Sequence, residues 1–335
     1  MKKSLSYILF WMLGCLSASA ASYTFDINKG ISFSWQYDDV IGVYTTKGTR
    51  IKHWALDVSD GGKAATFSSY GWSLVEKRKY YLYYPYNDSY FKNDTPITNL
   101  PITFDGQMQS GNNSLSHIAT YDYMIGEGIT DDNSADFKLN HLCSVIRIEY
   151  ASPKSAVYTN VALRTTDNVF CRTAEMNLET QSINPTGKDS YASLRLGRIE
   201  VEEGETLVAY LVVAPVDLTG WDVKLAIATE DGDEVEFDVQ ANELRAGKLY
   251  LLNTTEIVEK SLSTKHRASS LQEPSVSTYD IPIDTGSEIV VTGIQQTKQN
   301  QTQGSETLYT LSGIRTRESS AKGILIKNGK KVIIH

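Results

Sequence analysis

Basic charge, cysteine, helical periodicity and long apolar runs are all in short supply in this 335-residue chain. Lys and Arg number 32 against 40 Asp and Glu, a formal charge of −8. That balance leaves no broad basic face for phosphate and argues against nucleic acid as a partner. Three cysteines are too few for a disulfide scaffold, and none stands in a C-x-x-C pair. A redox dithiol and a cysteine zinc site are therefore not indicated. Past the first twenty residues the longest apolar run is Leu207 to Ala214. That is one strand's length, well short of the ~20 residues of a spanning helix. No window of about 12 residues carries a clean 3.6-residue apolar stripe.

Catalytic signatures are missing too. The five histidines, His53, His117, His141, His266 and His335, form no H-E-x-x-H or other ligand-spaced pair. There is no P-loop, no G-x-G-x-x-G after a strand and no G-x-S-x-G elbow, so no enzyme class and no cofactor is indicated. The acidic neighbours Asp38-Asp39, Asp131-Asp132 and Glu202-Glu203 would point to opposite faces of a strand, which does not suit a glycosidase pair. Asp131, Asp132, Asn133 and Asp136 supply oxygens for calcium but lack the EF-hand spacing, and read as a solvated acidic loop.

What is present begins with an address. Met1-Lys2-Lys3 is a basic start, Leu5 to Leu16 an apolar stretch and Ser17 to Ala20 a small-residue tail. This is the form of a secretory signal peptide over 1–20, with an A-x-A site that places cleavage between Ala20 and Ala21. Leu13-Gly14-Cys15 offers an alternative, lipidation at Cys15. Export would leave Cys143 and Cys171, which either bridge in an oxidising compartment or stay as buried thiols.

The body reads as strands. Val223, Leu225 and Ile227, preceded by Trp221, alternate with polar or small residues, as do Val235, Phe237 and Val239. Asp231-Gly232 between them predicts a hairpin. Ile146, Ile148 and Tyr150 predict a half-buried strand, and Leu207 to Val213 a central strand covered on both faces. Short strands punctuated by turns predict an all-β protein with two antiparallel sandwiches, over 21–150 and 151–253. Residues 254–288 are Ser/Thr-rich and read as a flexible linker to a small β module over 289–335. That module carries seven Lys or Arg and two acids. With Lys2 and Lys3 gone with the leader, the body between is left at −15.

Lys79-Tyr80-Tyr81-Leu82-Tyr83-Tyr84-Pro85-Tyr86 is the most aromatic run. Tyr81 and Tyr83 are its candidate ligand contacts, because ring faces with polar tips suit sugars. The competing reading is a sandwich strand that buries one tyrosine face and shows the other.

The order of segments resembles the fimbrillin-like family of surface pilins and pilus-associated proteins of gut and oral Gram-negative anaerobes. Trp35 with Asp38-Asp39-Val40-Ile41-Gly42-Val43-Tyr44 resembles its opening motif, and Tyr80 to Tyr86 its tyrosine strand. Gln107-Met108-Gln109, Tyr121-Asp122-Tyr123-Met124 and Phe137 to Leu142 follow in family order, then Val213 to Leu218 and Ala246 to Tyr250. The resemblance implies two transthyretin-like sandwiches in tandem and a non-enzymatic pilus component or adhesin at the cell surface. It further implies partnership with other fimbrial subunits by β-augmentation and contact with host glycans or proteins. Val291-Thr292-Gly293-Ile294, Leu308 to Arg315 and Asn328 to Val332 resemble C-terminal sorting-type domains, implying that the tail engages export machinery. Family pilins often release a first strand after an arginine, whereas the first arginine here is Arg50. A carbohydrate-binding protein using its tyrosine strands is the alternative function.

Overall fold

The computed structural model describes residues 21–26, 29–69, 74–93, 95–131 and 134–253, and beyond them the strand segments 276–282, 289–293, 308–310, 315–316, 323–327 and 330–334. Cys15 and Ala20 of the expected leader, Asp132 and Asn133 of the acidic loop, and His266 and His335 lie outside the described residues.

Period-two alternation becomes strand along most of the chain. In order the elements are β1 (Ser22–Asp26), β2 (Gly30–Ser34), β3 (Val40–Thr45), β4 (Arg50–Ser59), β5 (Ala64–Ser69) and β6 (Lys79–Tyr84). A short helix α1 (Asp88–Lys92), β7 (Leu100–Thr103), β8 (Met108–Gln109) and α2 (Ile118–Tyr121) precede β9 (Met124–Ile129), β10 (Ser134–Phe137) and β11 (Asn140–His141). Then come β12 (Ser144–Ala151), β13 (Ala156–Arg164), β14 (Phe170–Asn177), β15 (Ser182–Asp189), β16 (Tyr191–Val201) and β17 (Thr206–Val213). They are followed by β18 (Val216–Asp217), β19 (Val223–Thr229), β20 (Glu234–Val239), β21 (Glu243–Leu244) and β22 (Lys248–Asn253). Two later strands, β23 (Val276–Pro282) and β24 (Ile289–Gly293), belong to the same compact unit, which ends at Ile294.

The sheets interlock. An eight-stranded sheet runs β10-β24-β5-β4-β3-β6-β9-β11, a four-stranded sheet β17-β12-β22-β23, and a five-stranded sheet β20-β19-β13-β16-β8. Met108 and Gln109 of β8 thus pair with Arg195 and Leu196 of β16, and β7 pairs with β14. Residues 276–282, inside the expected linker, pair with β22, and 289–293 pair with both β5 and β10. The second unit, Gln295–His335, holds its own sheet in the order β26-β25-β27-β28, with strands Arg315–Thr316, Leu308–Thr310, Gly323–Lys327 and Lys330–Ile334.

The hairpin expected around Asp231-Gly232 is β19–β20, with Val223 opposite Val239 and Ile227 opposite Val235. Gly232 takes φ +86°, the left-handed turn for which glycine is suited. Two apolar cores lie on opposite faces of the four-stranded sheet. Val145, Val208, Tyr210, Val212 and Leu249 enter the first, with Trp35, Phe67 and the tyrosines of β6. Ile146, Ile148, Leu207, Leu211 and Tyr250 enter the second.

Two expectations change here. Leu207 to Val213 is covered on both faces, but β17 stands at the edge of its sheet rather than its centre. β12 is not half-buried, because Arg147 on its other face is only 8% exposed. Arg147 Nε donates to Glu149 Oε1 at 2.7 Å, Nη1 donates to Asn113 Oδ1 at 2.9 Å, and the guanidinium stacks 4.1 Å from the Phe25 ring centroid. A paired and stacked guanidinium tolerates burial that a free one would not.

Gly42 on β3 faces Tyr83 on β6, and a Cβ at 42 would fall inside the Tyr83 ring. The ring lies flat where the glycine leaves room. We expect Gly42→Ala to cost about 1–3 kcal/mol by overpacking and Tyr83→Ala about 3–5 kcal/mol by cavity formation. Denaturant titration of the two variants and their double should show a double mutant clearly more stable than the sum of the singles predicts.

Candidate functional site

The tyrosine strand is the first place to look for a binding surface, and it is closed. Tyr81 is 6% exposed and Tyr83 fully buried. Tyr83 packs against Tyr90 and Tyr44 with ring centroids at 5.3 and 5.7 Å, and stacks on Tyr86 at 6.4 Å. Tyr81 lies under the Lys79 ammonium, 4.9 Å from its ring centroid. β6 sits inside the sheet between β3 and β9, which pair both its edges, and Tyr80 to Tyr84 are all buried, so both of its faces are covered as well. Neither candidate contact presents a ring to a ligand.

The other acidic neighbours do not converge either. Asp38 is exposed in a left-handed turn at φ 67°, while Asp39 is buried. Glu202 and Glu203 are both exposed. Among the described residues no group of three His, Cys, Asp or Glu side chains is arranged to hold a metal. Cys143 and Cys171 are both free thiols. Burial holds the Cys143 thiol well above its ordinary pKa and pushes Cys171 up to about 11. Both are thus kept protonated and poorly nucleophilic at neutral pH.

One polar cluster is fully internal. His141 Nδ1 lies 2.5 Å from Asp122 Oδ2, with both side chains at zero exposure. Tyr23 Oη donates to the same Asp122 oxygen at 3.0 Å. The second nitrogen of His141 and the second oxygen of Asp122 have no hydrogen-bond partner. An Asp-His pair is two of the three members of a hydrolytic triad, but this one is sealed from solvent and its hydroxyl partner is a phenol. It ties β1, the end of α2 and β11 together. The two segments that supply it, Tyr121 to Met124 and Phe137 to Leu142, were visible in the sequence only as motifs, without any sign that they meet.

The sheets have borders that must be closed or left open. A free edge exposes unpaired N–H and C=O groups to any extended chain. On β17 the edge is occupied by side chains. Asn112 Nδ2 donates to Thr206 O at 2.9 Å, and Val208 N donates to Asn112 Oδ1 at 2.7 Å. Gln109 Nε2 donates to Val208 O at 2.8 Å, and its Oε1 accepts from Tyr210 N at 2.9 Å. His117 Nε2 meets Tyr210 O at 2.8 Å, which assigns its proton to that nitrogen. Gln107 Oε1 accepts from Val212 N at 3.0 Å, and its Nε2 donates to Val212 O at 2.6 Å. From Thr206 O to Val212 O, the outward backbone groups of the even-numbered residues find side-chain partners. Meanwhile the backbone of Met108 and Gln109 pairs with β16. The Gln-Met-Gln segment therefore stitches together the four- and five-stranded sheets that enclose the second core.

The β20 edge is blunted differently. Glu234, Glu236 and Asp238 alternate along it, and Arg164 Nη1 pairs with Glu234 at 2.7 Å and Glu236 at 3.0 Å. Charges of this kind discourage edge pairing. The edge of β22 and the gap between β5 and β10 are closed otherwise, by the late strands β23 and β24. No sequence signal announced the gap, because a slot between strands is a property of topology.

Two tests follow from this geometry. Replacing Gln107 and Gln109 by Ala leaves buried backbone groups unpaired, at about 1–3 kcal/mol each. Denaturant titration should show that loss, and size-exclusion chromatography should show new self-association through the opened edge. His53 is buried, and burial lowers its pKa to about 4 from an ordinary 6.5. The unfolded chain then takes up a proton that the folded chain refuses. The stability His53 contributes is complete above pH ~6.5 and lost as the pH falls toward 4. A His53→Leu variant should lack that part of the acid-side slope in unfolding titrations between pH 4 and 7.

No curated protein matches the chain. Among solved structures, a candidate cell adhesion protein of Bacteroides ovatus is similar at 16% identity and a TM-score of 0.43, over 65% of this chain and 82% of that one. The tip fimbrial protein Mfa3 of Porphyromonas gingivalis, truncated at its C-terminus, is similar at 11% identity and a TM-score of 0.34, over 64% and 87%. A fimbrial protein of Bacteroides vulgatus is similar at 11% and 0.29, over 64% and 87%. The model of the fimbrillin-like family matches residues 27–266, most of the body with its glutamine stitch, its Asp-His pair and its tyrosine strand, and the chain belongs to that family.

Proposed function

We propose that this protein is an exported, non-enzymatic surface protein of the fimbrial or adhesin type that assembles with other subunits through its sheet edges. The observation that carries the reading is β24, a late strand lying parallel to β5 and antiparallel to β10, second from one end of the eight-stranded sheet. A strand delivered from beyond the second core into a slot of the first is the arrangement that β-augmentation exploits, since a second copy offers the same strand to the same slot. The β17 edge, occupied by amides, and the β20 edge, studded with charge, support this slot and the neighbouring β22 edge as the places of exchange.

Export begins with the leader over 1–20, removed between Ala20 and Ala21, with acylation of Cys15 as the alternative route to the surface. The basic tail engages the export machinery. The tandem transthyretin-like arrangement of the two sandwiches holds the slot and the sealed edge apart on one chain. The loops at the sandwich ends are the surfaces offered to host proteins or glycans.

Exchange is testable at the paired positions Val290 and Thr66, which are partners in the β24–β5 register. One tagged copy carries Thr66→Cys and a second carries Val290→Cys, and the two are unfolded, mixed and oxidised after refolding. We expect a disulfide between copies. Cross-links within doubly substituted single copies, without any between copies, would refute exchange. Protease shaving of cells and negative-stain microscopy of the exported protein test the location and the assembly. Monomers alone, with no shaved fragments, would refute the surface-assembly reading.

A further inference from the structure

Asp39 is a buried acid with an unmet requirement. Its Oδ2 accepts from the Gln36 backbone N–H at 2.6 Å, while its Oδ1 has no hydrogen-bond partner. The groups acting on it are the N–H groups of Gln36 and Ala21, with burial opposing both. Neither is a cation. A carboxylate desolvated this far is expected to carry a paired positive charge or to take up a proton. With Ala21 as an ordinary amide, burial holds the Asp39 carboxyl up at about 7.

The nitrogen facing this acid belongs to the residue that export would make the first. Ala21 is buried, and its N–H donates to Tyr84 Oη at 3.3 Å. The next residue is tied to the same turn, since Gln36 Nε2 donates to Ser22 Oγ at 3.0 Å. The niche is walled by Trp35, whose ring centroid lies 5.4 Å from that of Tyr84. Beyond Tyr84 lie Tyr23 and the Asp122–His141 pair, which partner one another.

We propose that leader removal completes this site: the Ala21 α-ammonium released by cleavage pairs with Asp39 inside the niche, hydrogen-bonded to Tyr84, and locks the first hairpin onto the first core. The step is a hydrolysis by water. The Ala20–Ala21 C–N bond breaks, the hydroxyl goes to the Ala20 carbonyl carbon, and the hydrogen goes to the Ala21 nitrogen. The freed amine, with an ordinary pKa of about 8, takes a further proton at neutral pH. One uncharged donor is thereby replaced by a charged group with three, aimed at a carboxylate that has an oxygen to spare. The device makes the processed chain more stable than its precursor, so that the fold tightens only after export. The inference rests on cleavage at Ala20–Ala21, part of the export reading above.

The test uses the whole chain from Ala21 in two forms, with a free amine and with an acetylated one, each with and without Asp39→Asn. At pH 7 we expect the free-amine chain to unfold with an equilibrium constant at least tenfold smaller than the acetylated chain. Asp39→Asn should remove that difference. The advantage should vanish on the alkaline side, once the amine loses its proton, and on the acid side, once Asp39 gains one. In the acetylated chain, Asp39 should make stability fall as the pH rises from about 4 to 7, because the folded acid keeps a proton that the unfolded one releases. Titration of a ¹⁵N-labelled Ala21 amine in the unsubstituted chain gives an independent readout, should Asp39→Asn fail to fold, and we expect its pKa above the ordinary value. Equal stability of the two forms with an ordinary amine pKa would overturn the pairing while leaving the export reading intact. An intact mass of the native protein that begins at an acylated Cys15 would overturn the export reading and the inference together.

Discussion

The four-stranded sheet is apolar on both faces, and much of the rest of the molecule answers that one constraint. A sheet with a core on each side keeps water from its backbone as well as from its side chains. Every N–H and C=O on its border must then find a partner in protein, at a cost of about 1–3 kcal/mol for each that does not. On β17 the partners are Gln107, Gln109, Asn112 and His117. On the far side β22 is met by the backbone of β23. Arg147 is the same problem in a side chain. Its stem lies in the face shared with the first core, and its charge is spent on Glu149, Asn113, Tyr210 and the Phe25 ring.

This arrangement makes the two cores depend on each other. β7 and β8 come from the first half of the chain yet pair with β14 and β16 of the second. β12 serves both cores with alternate residues, Val145 to one and Ile146 to the other. Cutting the chain ahead of β12 would strip the second core of its edge seal and the first of a wall. Cooperative unfolding of the two is the physical consequence, because neither core is complete without the sheet between them.

How much of this was legible depended on range. The β19–β20 hairpin was readable because its information is local: alternation on each side and a glycine at the turn. The double coverage of Leu207 to Val213 was also readable, since a polar face would have broken the run. Its edge position was not, because a side-chain ladder supplied from a hundred residues away leaves no trace in the run itself. Gln107 and Gln109 looked like polar strand residues, and Asp122 and His141 like isolated letters of two motifs. The tyrosines of β6 misled in the other direction. Their hydroxyls suggest a wet face, yet Tyr80 to Tyr84 are all buried, and Gly42 leaves the room in which the Tyr83 ring lies.

The edges now order themselves by what closes them. Amides close β17 and carboxylates blunt β20, and both devices are built into the strands and loops of the body. Pro185 on β15 adds a position with no N–H to offer on another border strand. The β22 edge and the slot between β5 and β10 are different in kind, because in each the backbone is met by the backbone of another strand, and both strands come from the same stretch after the second core. A side-chain seal is specific to its own backbone and is not exchangeable without loss. A main-chain seal is chemically equivalent to the corresponding strand of any other copy. On the proposed reading, association is suppressed at β17 and β20 and left to the one stretch, residues 276–293, that follows the second core.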